Sequence, residues 1–342
     1  MYKKRLYIIV LLMLAVLSGT AIAREVKKTG TTAAKFLSIG IGPRANAMGG
    51  AFSSISNDAE AMYWNPAGLA MFDKNQAIVT YTKMFADINL NYFGAALPFG
   101  EIGTFGLNVT ALNYGQMNVT DEYHEDGTGE KFSAGSYAFG LSYARNITED
   151  FLAGINIKYI REDISNSSAD GIGFDIGTIF KTPFYGVRFS SSISNYGSKM
   201  QMTGEDLLTT HDPDQTRAGN NGTIDVNYAT EKYDLPLKLQ IGISRDFELI
   251  EGQRLTIAID GIHPNDNAQY VNVGGELSLF NELVQLRGGY KTLFLKDSPE
   301  GLTLGFGLNY GYMSSFGVSL DYSFQKYKYL GNTHSFGLIL KF

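Results

Sequence analysis

Residues 302–310 read Leu-Thr-Leu-Gly-Phe-Gly-Leu-Asn-Tyr, with an apolar side chain at every even position and a small or polar one at every odd position. Residues 316–324, Phe-Gly-Val-Ser-Leu-Asp-Tyr-Ser-Phe, repeat the pattern, and residues 172–180 carry it with Ile172, Phe174, Ile176 and Phe180 on one parity. Strict alternation is the mark of a strand with two unlike faces. A soluble β-sandwich and a membrane barrel both satisfy it, and two details separate them. The small-or-polar face is rich in Gly, Ser, Asn and Thr and poor in Lys and Glu, which suits a crowded lumen. The other face is aliphatic in mid-strand and aromatic at the ends, as a lipid-facing wall with interfacial girdles requires.

Extended along the chain, the pattern predicts fourteen strands. They lie at 75–85, 88–97, 103–113, 132–144, 151–162, 171–180, 185–194, 235–246, 254–262, 269–279, 283–294, 301–310, 315–324 and 333–342. The fold class expected is all-β, a 14-stranded antiparallel transmembrane barrel; an even count fits a bacterial outer-membrane barrel. Loop lengths agree if both termini lie on the periplasmic side. The third, fifth and seventh connections (114–131, 163–170 and 195–234) are long and polar and face outward, while RNITED and KTPFYG are short and face inward. The first connection, near Ala86 and Asp87, is outward yet short.

The N-terminus is a different object. Lys3, Lys4 and Arg5 precede an apolar run at 6–17, and Ala21-Ile22-Ala23 forms a small-residue cleavage site. This is the pattern of a secretory signal peptide cut before Arg24. The run is too short for a helical span, and no other stretch approaches one. The expected organisation is therefore a signal peptide at 1–23, an N-terminal segment at 24–74 and a barrel at 75–342.

Composition narrows the function. Among 342 residues there are 28 basic and 34 acidic ones, for a formal charge of −6 that signal removal makes three units more negative. No basic stripe suited to nucleic acid is present. There is no Cys, so thiol chemistry and disulfides are absent. His124, His211, His263 and His334 stand apart from one another, and no G-x-S-x-G, H-E-x-x-H or phosphate-loop pattern occurs. No catalytic, cofactor or metal residue is assigned, and the chain is not read as an enzyme. The DPDQ and AGNNGT stretches of the 195–234 connection do not match an EF-hand loop.

Residues 24–74 do not alternate. Asn57 with Glu60 three residues on predicts a capping-box-like helix start, a helix of about two turns from Asp58, and a stop at Pro66. Gly68 is expected to allow a sharp exit toward the first strand. Fourteen strands enclose a lumen wider than side chains alone fill, and a segment rich in Ala and Met with Trp64 is poorly suited to a solvated tail. It is expected to fold inside the barrel as a plug, with Met62 and Trp64 wedging it in place.

Residues 42–72, GPRANAMGGAFSSISNDAEAMYWNPAGLAMF, resemble the N-terminal signature of the PorV/PorQ family, a branch related to FadL-type barrels. The matching elements are Arg44, Ala47-Met48-Gly49-Gly50-Ala51, Asn57-Asp58-Ala59 and Asn65-Pro66-Ala67-Gly68-Leu69. The resemblance implies a hatch inside an outer-membrane barrel. For PorV it implies a role in type IX secretion, in which the barrel accompanies the translocon and takes the C-terminal signal domain of a cargo protein to a surface attachment complex. For FadL relatives it implies passive uptake of long-chain fatty acids or other hydrophobic compounds. The expected partners are thus outer-membrane lipid, the translocon with its cargo, or a hydrophobic small molecule. Phe336, Leu338, Leu340 and Phe342 face one way and resemble the C-terminal signal read by outer-membrane assembly machinery.

Overall fold

A computed structural model describes residues 29–213, 216, 223–311 and 316–342. The expected signal peptide, the Arg24 cleavage point and most of the DPDQ and AGNNGT stretches lie outside the described residues. The wall consists of β1 (Gln76–Lys83), β2 (Asn89–Pro98), β3 (Thr104–Asn118), β4 (Lys131–Asn146), β5 (Phe151–Ile164), β6 (Ser167–Lys181) and β7 (Val187–Gly197). It continues with β8 (Lys238–Ile250), β9 (Gln253–Pro264), β10 (Tyr270–Leu279), β11 (Val284–Leu293), β12 (Leu302–Tyr310), β13 (Gly317–Lys326) and β14 (Asn332–Lys341). Each strand pairs antiparallel with its sequence neighbours, and β1 closes on β14 through eight register pairs from Gln76↔Lys341 to Lys83↔His334. Closure leaves no wall edge with unsatisfied backbone groups, the condition for crossing a bilayer in strands.

The alternation sorts as expected. Outward residues such as Val79, Leu107, Leu141, Ile241 and Leu304 are exposed, while the intervening Thr80, Asn108, Ser142, Gln240 and Thr303 are buried in the lumen. Phe336, Leu338 and Phe342 are likewise exposed, on the parity of Leu340. In Gly288-Gly289-Tyr290, Gly289 faces the lumen, while Gly288 lies on the outward parity of Leu286 and Tyr290.

The rim with the chain's C-terminus carries short turns; the opposite rim carries the long connections. The fifth connection is shorter than expected, because β5 and β6 extend to a two-residue turn at Ser165 and Asn166, with Ser165 at φ 51°. The wall is therefore tallest at β3–β6. The described residues of the connection at 198–237 are structured: Leu208–His211 pairs with Ile224–Asn227, Thr203–Gly204 pairs with Ser167 and Ser168 of β6, and Met200 bridges Tyr233. It forms a folded arm rooted by buried Met200 and Leu235.

The N-terminal segment occupies the lumen. It starts at the long-loop rim, where Ala33 N–H donates to the Asp234 carbonyl of the arm (3.0 Å) and Lys35 Nζ meets Asp266 (2.5 Å). It then forms a 3₁₀ turn at Lys35–Ser38, helix α1 (Pro43–Ala47), helix α2 (Ala61–Trp64) and a 3₁₀ helix at Pro66–Met71. It leaves at the short-turn rim, where Asn75 and Phe342 exchange backbone hydrogen bonds of 3.1 and 3.0 Å.

Two unlike halves of the lumen hold it. Toward β1–β6 the contact is apolar: Phe36, Leu37, Ile41, Met62 and Leu69 pack with Ile78, Leu90, Tyr92, Leu112 and Ile160. Toward β10–β12 it is a backbone fit. The Met48-Gly49 peptide lies where a Cβ of Gly274 or Gly289 would project, and Gly305 makes room for Ala47. Replacing Gly289 by Val is therefore expected to dislodge the Met48–Gly50 turn while β10–β11 pairing survives. In detergent, the variant should keep the heat-modifiable mobility of a closed barrel and become sensitive to protease within residues 40–60.

Candidate functional site

The candidate site is the lumen segment and the wall residues it bonds. Arg44, on α1, is its centre. Its Nε and Nη2 donate to the two carboxylate oxygens of Glu276 on β10 (2.9 and 3.0 Å), a bidentate pair. Its Nη1 donates to the Asn57 side-chain oxygen (2.6 Å) and to Asp58 (2.7 Å). The guanidinium lies 5.3 Å from the ring centre of Phe52. Glu276 also accepts from Arg287 Nε on β11 (2.7 Å), and Arg287 pairs with Asp321 on β13. Five alternating charges thus run from the plug into three wall strands. Burial alone would lower the Arg44 pKa, but Glu276 and Asp58 outweigh it and hold it well above the ordinary value.

This use of Asn57 and Asp58 corrects the expected capping box. The α2 helix is one turn, starts at Ala61 and has no side-chain cap from Asn57. Asn57 and Asp58 are spent on Arg44, and Asp58 also accepts from the Glu60 amide (3.0 Å). Glu60 reaches instead to α1, accepting from the Ala45 amide (3.1 Å). Gly42, at φ 77°, makes this possible, since a side chain there would overlap the Glu60 carboxyl. Burial, then Asp58 and Asp321, raise the Glu60 pKa well above the ordinary carboxylate value.

Pro66 ends α2 as expected, with Asn65 extended at φ −160° and ψ 102°. The chain does not leave the lumen there, because Pro66 opens the 3₁₀ helix. Asn65 serves both sides of the break: its oxygen accepts from Ala67 N–H (3.1 Å), and its amide donates to the Ser53 carbonyl (2.8 Å) and the Thr178 carbonyl of β6 (3.2 Å). Gly68 is not a left-handed hinge; it lies inside the 3₁₀ helix, where the Ser56 carbonyl occupies the space of a side chain. Met62 fills the space left by Gly94 and Gly106 on β2 and β3. Trp64 donates from Nε1 to the Ile41 carbonyl (3.1 Å) and stacks edge-on with Phe52 and Tyr63. Met48, Gly49 and Gly50 face the opposite wall, so the expected motif residues form one folded unit touching most of the circumference.

The wall partners were not singled out from sequence. Besides Glu276, Arg287 and Asp321, Asp260 on β9 accepts from the Phe52 and Ser53 amides (3.0 Å each) and from Gln240 (2.6 Å). Asn156 on β5 donates to Asp175 on β6 (2.8 Å), which Lys158 pairs at 2.8 Å. The signal was present: Glu276, Arg287, Asp321, Asp260 and Asp175 are charges on the lumen-facing parity of their strands.

Among the described residues, cavities flank the plug, and two bear on the site. One, of about 520 Å³ at the short-turn rim, is lined by Arg44, Asp58, Lys74, Arg254, Glu276, Glu282 and Arg287 among others. Gln76 Oε1, Ser278 Oγ and Gln285 Oε1 line it without a protein partner, which marks a hydrated space. The other, of about 90 Å³, lies toward the long-loop rim between Tyr63, Trp64, Lys238, Gln240 and Tyr270. Lys238 Nζ sits 5.2 Å from the Trp64 ring centre. Neither is a mostly apolar pocket of the kind that holds a small hydrophobic ligand.

Two predictions follow from the charges. Arg44→Gln leaves Glu276 and Asp58 without their shared cation, and breaking a buried pair costs about 3–5 kcal/mol. The urea midpoint in micelles should fall and amide exchange in 43–60 should rise, while Arg44→Leu with Glu276→Leu loses less. Glu60 works the other way. Its folded pKa is raised, so the stability it contributes is full below the ordinary carboxylate value and declines as pH rises toward the raised value. Glu60→Gln should flatten that decline and make the protein more stable than wild type at pH 8, measured by urea titration at pH 5 and pH 8.

The family described as "Type IX secretion system protein PorV" matches residues 22–202, more than half the chain. No curated protein sequence matches. Among solved structures, the Ralstonia pickettii toluene transporter TbuX is similar with a TM-score of 0.55 at 12% identity, over 88% of this chain and 97% of that one. The Pseudomonas putida toluene transporter TodX gives 0.54 at 14%, over 88% and 97%, and a Pseudomonas aeruginosa FadL homologue gives 0.50 at 14%, over 87% and 95%. At such identities these likenesses establish a shared fold.

Proposed function

The chain belongs to the PorV family of type IX secretion system proteins, and on that footing we propose that it binds secreted cargo proteins at its long-loop rim and hands them on at the cell surface, with its lumen kept closed. It is an outer-membrane β-barrel of a transport-related family. The observation that carries the reading is the plug: ionic on one side, apolar on the other, and flanked by polar cavities. Such a lumen favours work done at the rim over passage through the centre.

The rim has suitable surface. The arm at 198–237 stands on the tall β3–β6 side and presents Tyr228 and Tyr233, with Tyr196 at its root and Tyr123 on the neighbouring connection, all exposed. Exposed tyrosines with polar surroundings are typical of protein-recognition surfaces. With the short-turn rim toward the periplasm, this surface faces outside the cell, where a cargo C-terminal signal domain emerges from a translocon. The membrane-insertion role of Phe336, Leu338, Leu340 and Phe342 is part of the same proposal, supported by their outward exposure at the barrel's closing strand.

The alternative, passive uptake of hydrophobic compounds, is favoured only by the fold shared with the toluene transporters. The two readings separate in one experiment. A variant in which residues 205–228 are replaced by a short Gly-Ser turn should keep a heat-modifiable barrel, lose co-purification of secreted proteins from the outer membrane, and deplete them from the medium. Undiminished secretion together with impaired growth on a hydrophobic carbon source would overturn the secretion reading.

A further inference from the structure

The outward face of β8 reads Leu239, Ile241, Ile243, Arg245, Phe247 and Leu249, so one cation interrupts an apolar column. Arg245 is in register with Val187, the first residue of β7, and with Ile257 of β9. It therefore lies level with the 182–186 turn at the short-turn rim. Its guanidinium sits 4.5 Å from the Phe247 ring centre and 5.4 Å from that of Tyr185. The adjacent acid, Asp246, is on the other face and is committed to Arg188 and Thr256. Among the described residues Arg245 has no hydrogen-bond or ion-pair partner, and its Nε is buried and unsatisfied.

A guanidinium on a lipid-facing wall is tolerated where it can reach the interface and an anion. Here the two rings hold its guanidinium in the aromatic girdle, leaving the terminal nitrogens free. That fork matches a phosphate in charge and in geometry. The protein supplies no acid on this face, whereas the leaflet beside it supplies one at the same depth.

We propose that Arg245, clamped between Tyr185 and Phe247, is a binding site for the phosphate of a phospholipid in the leaflet at the short-turn rim. The bound lipid accepts from the terminal nitrogens of the guanidinium and fixes the depth of the β7–β8 wall in the membrane. The site is separate from the lumen and from the rim assigned to cargo, so it stands or falls independently of the secretion reading.

Native mass spectrometry of the purified full chain in detergent tests it, with dioleoylphosphatidylglycerol, dioleoylglycerol or inorganic phosphate added. Wild type should retain the phospholipid and neither of the others. Arg245→Gln should retain at least fivefold less, and Arg245→Lys should recover part of the loss. Arg145→Gln changes the other outward-facing arginine at this rim, which is not stacked on a ring, and should behave as wild type. Tyr185→Leu keeps the charge and should still lose at least twofold, which covers the case of Arg245→Gln failing to fold as judged by heat-modifiable mobility. Phospholipid retention unchanged in Arg245→Gln or in Tyr185→Leu, an equal loss in Arg145→Gln, or retention of inorganic phosphate alone would overturn the proposal.

Discussion

The bidentate pair between Arg44 and Glu276 ties the plug to the wall across 232 residues of sequence, and the rest of the lumen is arranged around it. A guanidinium so deep in a barrel needs acceptors for its donors and balance for its charge. Glu276 and Asp58 balance it, Asn57 adds a further acceptor, and Arg287 with Asp321 carries the alternation onward. Moving the plug would expose all of these groups at once. The chain of charges is thus a lock whose release cost is shared among α1, β10, β11 and β13.

The apolar side complements that lock. Met62, Leu69 and Ile41 bury against β1–β6, each such burial worth about 1.5–3 kcal/mol, but apolar contacts alone would permit sliding. The close backbone approach of Met48 and Gly49 to Gly274 and Gly289, and the Asp260 carboxylate on the Phe52 and Ser53 amides, fix the register. What remains free to interact lies outside the lumen: the arm and its tyrosines at one rim, and the lipid-facing girdle with Arg245 at the other.

The wall was legible in the sequence because alternation is local. Each of the fourteen strands lies within a few residues of its expected place, and Leu302–Tyr310 matches at both ends but for one residue. The plug was legible from composition and from its resemblance to the PorV signature. Its pairings were not, because Arg44 finds Glu276 only after the barrel closes, and Glu60 caps α1 only because Gly42 opens the way. A local rule assigned Asn57 to a capping box; a buried cation in need of acceptors prevailed. Gly68 looked like a hinge for the same reason: sequence shows a glycine but not the Ser56 carbonyl beside it. The strands within 198–237 are only two to four residues long, too short for a period of two to stand out, and the extra length of β6 at Ser167–Asp170 is nearly all polar, which erases the alternation there.

The account stands on a barrel that works with its plug in place, and the absence of native cysteine makes that directly testable. Ser53 and Ser190 place their hydroxyls 2.8 Å apart between plug and β7. A Ser53→Cys, Ser190→Cys double variant can therefore be cross-linked by oxidation and released by reductant in intact cells. Secretion of cargo into the medium should be equal in the oxidised and reduced states. Secretion that stops on oxidation and returns on reduction would show that the plug must move, and would contradict the account.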